Sequence, residues 1–336
     1  MSKPPIGKKN PLSGKWTMKE PYTKTRFLSA QARGVIDLFR PFTLSAPFIV
    51  SMSIMVASLV FNYENFGTEI PSRWYFTVAQ AGLTIAIVNA ASNSLNQATD
   101  VESDRISKPY RPIPRGVIKR EGAQSLAYIL YLFALLRAVT INAWFGTFIF
   151  LIMIFTVTYS LPPRMKKYLF VNQIWIAIPR GLFGILAAWC VFGAEHLFDT
   201  PTPWIIGGIA TVFLIGGMAT KDITDAEADK KTGVHTMINT FGVRKTAFVS
   251  FPFMFFSFAF IPIFINNGSL KPYLQPLTLF AAFSILIFYL MYRKTESKTL
   301  ENIQAWAIMY VTYIFFALAF AAVSYTHLTL PTKRIV

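Results

Sequence analysis

Charge is scarce in this chain. Only 14% of its 336 residues are charged, against roughly 25% in a soluble domain. With 54% hydrophobic residues and a mean hydropathy of +0.45, that scarcity excludes an ordinary soluble globule. Cysteine is almost absent. Cys190 stands alone inside an apolar run, so no disulfide framework forms within the chain and cysteine says nothing about compartment. The first thirty or so residues lack the apolar core of a signal peptide. They are polar, basic and rich in Pro and Ser, and residues 1–34 read as a disordered cytosolic arm. Alternation of polar and apolar residues is missing from the apolar blocks, which excludes a membrane β-barrel. Acidic residues are half as many as basic ones, 16 against 32. On a soluble protein a net charge of +16 would point to nucleic acid. Here orientation in a bilayer explains it better, and no nucleic-acid partner is expected.

What is present is a series of apolar runs, each about the 20 residues needed to cross the hydrocarbon core. Nine are predicted, at about 43–61, 75–96, 123–141, 143–160, 173–193, 203–220, 246–265, 273–292 and 302–323. Nine crossings put 26 of the 32 basic residues on the side of the N-terminus and five on the other, with Arg180 left inside a span. That asymmetry supports the count and predicts an integral membrane protein whose N-terminal side faces the cytoplasm. The fold class is all-α, nine transmembrane helices over residues 35–323. Residues 324–336 share no character with the rest and read either as read-through or as an exposed tail.

Two acidic motifs interrupt this pattern. N-S-L-N-Q-A-T-D-V-E-S-D follows the second span and sets Asn96, Asp100 and Asp104 four residues apart, with Asn93 one turn earlier. Steps of four bring side chains onto one face of a helix. K-D-I-T-D-A-E-A-D-K-K-T-G follows the sixth span, with Asp225 and Asp229 at the same step and Asp222 three residues before. One such motif alone is commonly just a solvated, capped helix end. Two of them, on one side of the membrane and at matching points of spans 1–4 and 5–8, suggest a weak internal repeat and a shared site. An aspartate at mid-bilayer costs about 2.5–3.5 kcal/mol, so several near one depth imply a polar cavity. Facing carboxylate rows repel unless cations lie between them. Mg²⁺ takes oxygen ligands and bridges carboxylates to substrate phosphates, and two such ions can clamp a diphosphate as it leaves. Lys108, Arg111 and Arg115 after the first motif, with Lys221, Lys230 and Lys231 in the second, are placed to hold its outer oxygens. Taken singly, each base is more simply a topology signal.

At these residues the chain resembles the UbiA superfamily of intramembrane prenyltransferases over about 35–323. The resemblance implies a nine-helix bundle around a large central cavity. It implies Mg²⁺-dependent transfer of an isoprenyl group from its diphosphate to a lipophilic acceptor. Carried over by motif, Asn96, Asp100 and Asp104 form one metal site, and Asp225 and Asp229 a second with Asp222 nearby. Asp100, Asp104, Asp225 and Asp229 are the expected catalytic residues. Lys108 and Arg111 match basic positions, and Y-S-L-P-P at 159–163 brings Tyr159 toward the reacting carbon.

The acceptor is less legible. R-P-I-P-R-G resembles chlorophyll synthases and archaeal ether-lipid enzymes, whereas N-Q-A-T-D-V-E-S-D resembles homogentisate prenyltransferases. Ala228 stands where many of these carry glycine. Arg180 lies well inside the fifth span, where Pro179 and Gly181 loosen the helix. A charge there commonly faces a cavity, and Arg180 is expected to reach an anionic group of substrate or acceptor. Its alternative is a local carbonyl or buried acid. An anionic acceptor favours a prenylated glycerol phosphate, as in ether-lipid synthesis. Aromatic or tetrapyrrole acceptors, an intramembrane terpene cyclase and a cation transporter stay open as alternatives.

Overall fold

A computed structural model describes residues 29–293, 298–299 and 302–329. Among them nine helical spans are long and apolar enough to cross a membrane. They are span 1 (Pro41–Phe66), span 2 (Trp74–Thr99), span 3 (Arg120–Val139), span 4 (Ala143–Ser160) and span 5 (Val171–Gly193). Span 6 (Thr202–Ile223), span 7 (Met237–Asn266), span 8 (Pro272–Tyr292) and span 9 (Gln304–Thr326) complete the set. All nine predicted runs are found.

The boundaries move where polar residues are helical. Span 7 begins at Met237, well before the predicted apolar run. Thr236 and Asn239 form a reciprocal capping box there, and Gly242, with φ 77°, kinks the helix before it enters the apolar segment. Residues 30–34, assigned by sequence to the arm, belong to a helix at Ala30–Phe39 that Ser29 caps. Gln97 Nε2 donates to Leu38 O at 2.7 Å and pins that helix to span 2. Residues 1–28 lie outside the described residues. The last helix continues to Thr329, beyond the predicted end at 323, and 330–336 also lie outside. Between spans 8 and 9, Lys298–Thr299 pairs with Asn302–Ile303 in a two-residue ladder.

Each span packs on its neighbours in sequence, and span 9 packs on span 1, so the nine close into a ring. Span 1 also crosses the middle to pack on Gly184–Gly193, the second half of span 5. Small residues allow that approach, as they do generally between helices in lipid. Ser58 Oγ donates to Trp189 O at 2.7 Å, and a Cβ on Gly193 would come within 2.6 Å of Asn62 Nδ2. This contact fills one half of the ring. The first half of span 5, Val171–Ile178, packs instead on spans 4 and 6, and the other half of the ring opens as a cavity.

The two halves of span 5 meet in a π-helical turn at Pro179–Phe183. Proline has no N–H to give and weakens the ladder at that point. Tyr313 Oη donates to the Arg180 carbonyl at 2.7 Å from span 9. Gly181 packs so closely that an added Cβ would lie 2.6 Å from the Thr211 backbone nitrogen. Gly208, one turn from that contact on span 6, has nothing within 4 Å of its Cβ position. Gly181→Val should therefore destabilise the detergent-solubilised protein by about 1–3 kcal/mol, the usual range for overpacking, and lower its Tm by several degrees. Gly208→Val should leave the Tm near that of the parent in the same thermal scan.

Candidate active site

Both acidic motifs leave their spans at the same end of the bundle, and both break at an aspartate. Span 2 stops at Thr99, and a short helix, Val101–Ser107, begins after Asp100 at φ −105°, ψ 19°. Span 6 tightens into a 3₁₀ turn at Met218–Ile223, and another short helix, Ala226–Lys231, begins after Asp225 at φ −101°, ψ −3°. The acids therefore do not ride on one straight helix, as the spacing alone predicts. The four-residue step survives the break because the backbone bonds do. Asp100 N donates to Asn96 O at 3.0 Å and Asp104 N to Asp100 O at 2.8 Å; Asp229 N donates to Asp225 O at 2.8 Å. The parallel breaks agree with an internal repeat.

Asp100, Asp104, Asp222, Asp225 and Asp229 all line a single cavity of about 240 Å³. Seven lysines and arginines line it with them, so the lining is net positive and suits a polyanion. The bases are threaded between the acids. Lys108, from the loop after the first motif, pairs with Asp225 of the second. Arg111 holds both oxygens of Asp104 at 2.8 Å. Lys166 and Arg164, from the loop between spans 4 and 5, both reach Asp100, the arginine at 2.8 Å. Lys221 pairs with its neighbour Asp222. Asn172 Nδ2 donates to Asp222 Oδ2 at 3.2 Å, and Tyr159 Oη donates to Asn172 Oδ1 at 3.0 Å. Asn96 Nδ2 donates to Asp100 Oδ2 at 2.9 Å.

Most of the predicted residues meet at this point, and some take other duties. Asn93 lines the cavity, but its amide donates to Phe39 O at 2.8 Å and Thr43 Oγ1 at 2.9 Å. It braces the entry to span 1. Arg115 and Lys230 were expected at the diphosphate and are not among the lining residues. Lys230 is exposed: it follows Asp229 directly on a helix, and adjacent helical residues do not share a face. Arg115 follows the Pro112–Pro114 turns and does not line the cavity. Arg180 does line the cavity, beside Tyr310 and Tyr313 of span 9 rather than beside the acids. Arg164, Lys166 and Asn172 join the site although motif spacing does not point to them. In the sequence the two bases read as orientation charges, yet P-P-R-M-K-K follows Y-S-L directly. Asn172 and Gln173 are two buried amides at the head of an apolar run, a signal that polar contacts await them.

Local fields divide the carboxylates outside the spans into two classes. Burial pushes Asp100 up, but Lys166 and Arg164 outweigh it and hold the carboxyl below its usual range. Asp225 behaves alike: burial raises it, and Lys108 brings it below the ordinary value. For Asp104 burial prevails over Arg111 and Lys108, and the carboxyl is raised. Burial, followed by Asp222 and Asp225, pushes Asp229 up to about 7. Lys166 is depressed by its own burial.

With this geometry described, the comparison with known proteins is direct. The sequence profile of the UbiA prenyltransferase family matches residues 54–310. The chain belongs to the UbiA prenyltransferase family. Its class is therefore a membrane-embedded transferase, and a cation transporter is set aside. A digeranylgeranylglyceryl phosphate synthase of Methanosphaera stadtmanae is 27% identical over 215 residues, 64% of this chain and 71% of that protein. A probable homogentisate phytyltransferase 2 of Oryza sativa is 26% identical over 294 residues, 83% of this chain and 76% of that one. Among solved structures, a UbiA homolog from Archaeoglobus fulgidus bound to DMAPP and Mg²⁺ has the same fold. It superposes with a TM-score of 0.66 at 18% identity, covering 88% of this chain and 99% of that one.

The raised carboxyl can be read directly. Infrared difference spectra of parent against Asp229→Asn, in metal-free buffer, should show one carboxylic acid band that disappears as pH rises through about 7.

Proposed function

We propose that this protein transfers an isoprenyl group from its diphosphate to a lipid acceptor carrying an anionic group, with Mg²⁺ at the two aspartate motifs. The best acceptor is a prenylated glycerol phosphate. The observation that carries the donor half is the interleaving of five aspartates with lysines and arginines around one cavity. Mg²⁺ takes one or two carboxylates and completes its shell with water and substrate phosphate, which suits carboxylates spread along one cavity. The solved relative named as bound to DMAPP and Mg²⁺ supports the same reading.

Asp100 with Asn96 and Asp104, and Asp225 with Asp222 and Asp229, are the two ligand sets. Asp100 and Asp225 are held ionised and are ready to accept a cation. When bound, Mg²⁺ neutralises the diphosphate and offsets the charge that grows on its leaving oxygen. Lys108, Lys166 and Lys221, now turned to the carboxylates, would hold phosphate oxygens of the donor. The C1–O bond of the donor breaks, and its electron pair leaves with diphosphate. The acceptor's hydroxyl oxygen forms the new bond to C1, and its proton goes to the departing diphosphate. Tyr159, fixed by Asn172 and lining the cavity beside the acids, is the residue assigned to face C1. Below it the wall turns apolar, with Ile152, Ile176 and Trp175 excluding water from the developing cation.

Arg180 supports the acceptor half. It carries a charge within the membrane-spanning part of the cavity, apart from the acids, with aromatic neighbours. A phosphate monoester fits that pole better than a neutral quinol. Relatives named digeranylgeranylglyceryl phosphate synthase favour this acceptor, and those named for homogentisate make an aromatic acid the second reading. By the charge asymmetry of the loops, the acids and the N-terminus face the cytoplasm.

The first test is incubation of purified protein with labelled geranylgeranyl diphosphate, Mg²⁺ and a pool of candidate acceptors, followed by mass spectrometry. A labelled ether of prenylated glycerol phosphate is expected. An aromatic adduct would replace the acceptor, and a cyclic hydrocarbon without adduct would make the enzyme a cyclase. Asp100→Ala and Asp225→Ala should each lower kcat by on the order of 10³-fold, comparable to removing an electrostatic stabiliser of the transition state. Arg180→Gln should raise KM for an anionic acceptor while leaving KM for the donor nearly unchanged. Mg²⁺ affinity should fall as pH drops below about 7, because protons then compete for Asp229.

A further inference from the structure

The cavity ends blindly, and its end is built from one residue on each of four spans. On span 1 the deepest lining residue is Ser51; beyond it Ile54, Met55 and Ala57 are fully buried. On span 2 it is Ile85, beyond which Ala81 and Val78 are buried. On span 4 it is Ile149, with Phe145 sealed below. On span 5 it is Gly184, where the half that packs on span 1 begins.

Gly184 differs from the glycines that make the closest helix contacts. Gly181, Gly193 and Gly216 each sit where a Cβ would come within 2.6 Å of a neighbour. A Cβ on Gly184 would meet only the Pro179 carbonyl oxygen, at 3.3 Å. Its missing side chain serves no helix contact and leaves lined space open. Asp100 and Ile85 bracket the cavity on span 2. Fifteen residues at 1.5 Å each separate them by about 22 Å. Carbon–carbon bonds of about 1.5 Å give an extended isoprene unit of roughly 5 Å. After the diphosphate takes the first few ångströms, three to four units fill the rest.

We infer that the floor formed by Ser51, Ile85, Ile149 and Gly184 measures the donor's tail, caps it at four isoprene units, and has Gly184 as the residue that sets the cap. The inference rests on the prenyl-transfer reading above. The tail runs along the apolar wall of Ile149, Ile152, Trp175 and Ile176 from spans 4 and 5 toward Ile85, while Arg180 and its tyrosines occupy the side given by span 9.

Donors of two, three, four and five isoprene units test this with the full-length enzyme in lipid nanodiscs, measuring kcat/KM for each. The parent should use the four-unit donor and fall by about tenfold or more at five units, the discrimination expected when one hydrophobic group no longer fits. Gly184→Leu should lower the ratio of four-unit to two-unit kcat/KM by about tenfold or more. Ile149→Ala, which deepens the floor, should raise the ratio of five-unit to four-unit donors, and it decides the matter should Gly184→Leu fail to fold. Calorimetric binding of the unreactive thiodiphosphate analogues should show the same order of preference. Transfer that proceeds with ratios unchanged in both variants overturns the inference and leaves prenyl transfer standing. No transfer from any donor by the parent, with no analogue bound, overturns the prenyl-transfer reading itself.

Discussion

Five carboxylates crowded at one end of an apolar bundle are the constraint on which this structure turns. Buried charges of one sign repel strongly where water is scarce. The chain answers by bringing a cation to four of them from elsewhere in the fold or from the next residue. Lys108 crosses from the first motif to Asp225 of the second, and Lys166 and Arg164 come from a third loop to Asp100. These pairs do more than neutralise. They tie three loops together over the cavity and set the motifs face to face. They also place ammonium and carboxylate groups alternately along one cavity. Asp229, which has no such ion pair among the described residues, is pushed up to about 7, first by its burial and then by Asp222 and Asp225.

The bundle below serves this end in two ways. Where span 1 meets the second half of span 5, small residues bring helices together and fill the ring. Beyond the turn at Pro179–Phe183, the first half of span 5 does not share that packing on span 1, and space opens beneath the acids. A break in one helix thus decides where the molecule is solid and where it is hollow.

Much of this was legible in the sequence because the signals were local. Twenty-residue apolar runs, loop charge and four-residue acidic steps need no tertiary knowledge, and all nine spans follow from them. Contacts between distant segments were not legible. Nothing in P-P-R-M-K-K says that Lys166 will close on Asp100, 66 positions earlier. Arg115 and Lys230 show the opposite error. They stand close to the motifs in sequence, yet helix phase and a proline-rich turn carry them away from the cavity. The polar start of span 7 eluded hydropathy because its helix is set by a capping box and not by apolar residues.

Span 9 carries a consequence for how the molecule is made. From this one helix, Tyr310 Oη donates to Thr43 O on span 1 at 2.8 Å, and Tyr313 Oη donates to Arg180 O on span 5. Both carbonyls belong to helices that a ribosome finishes long before span 9 emerges. Until span 9 inserts, the ring stands open along one seam and the carbonyl at the π-turn lacks its hydroxyl. The order of synthesis therefore places closure of the chamber after the other eight spans have emerged, and before that the chain holds no closed space in which a carbocation could be kept from water.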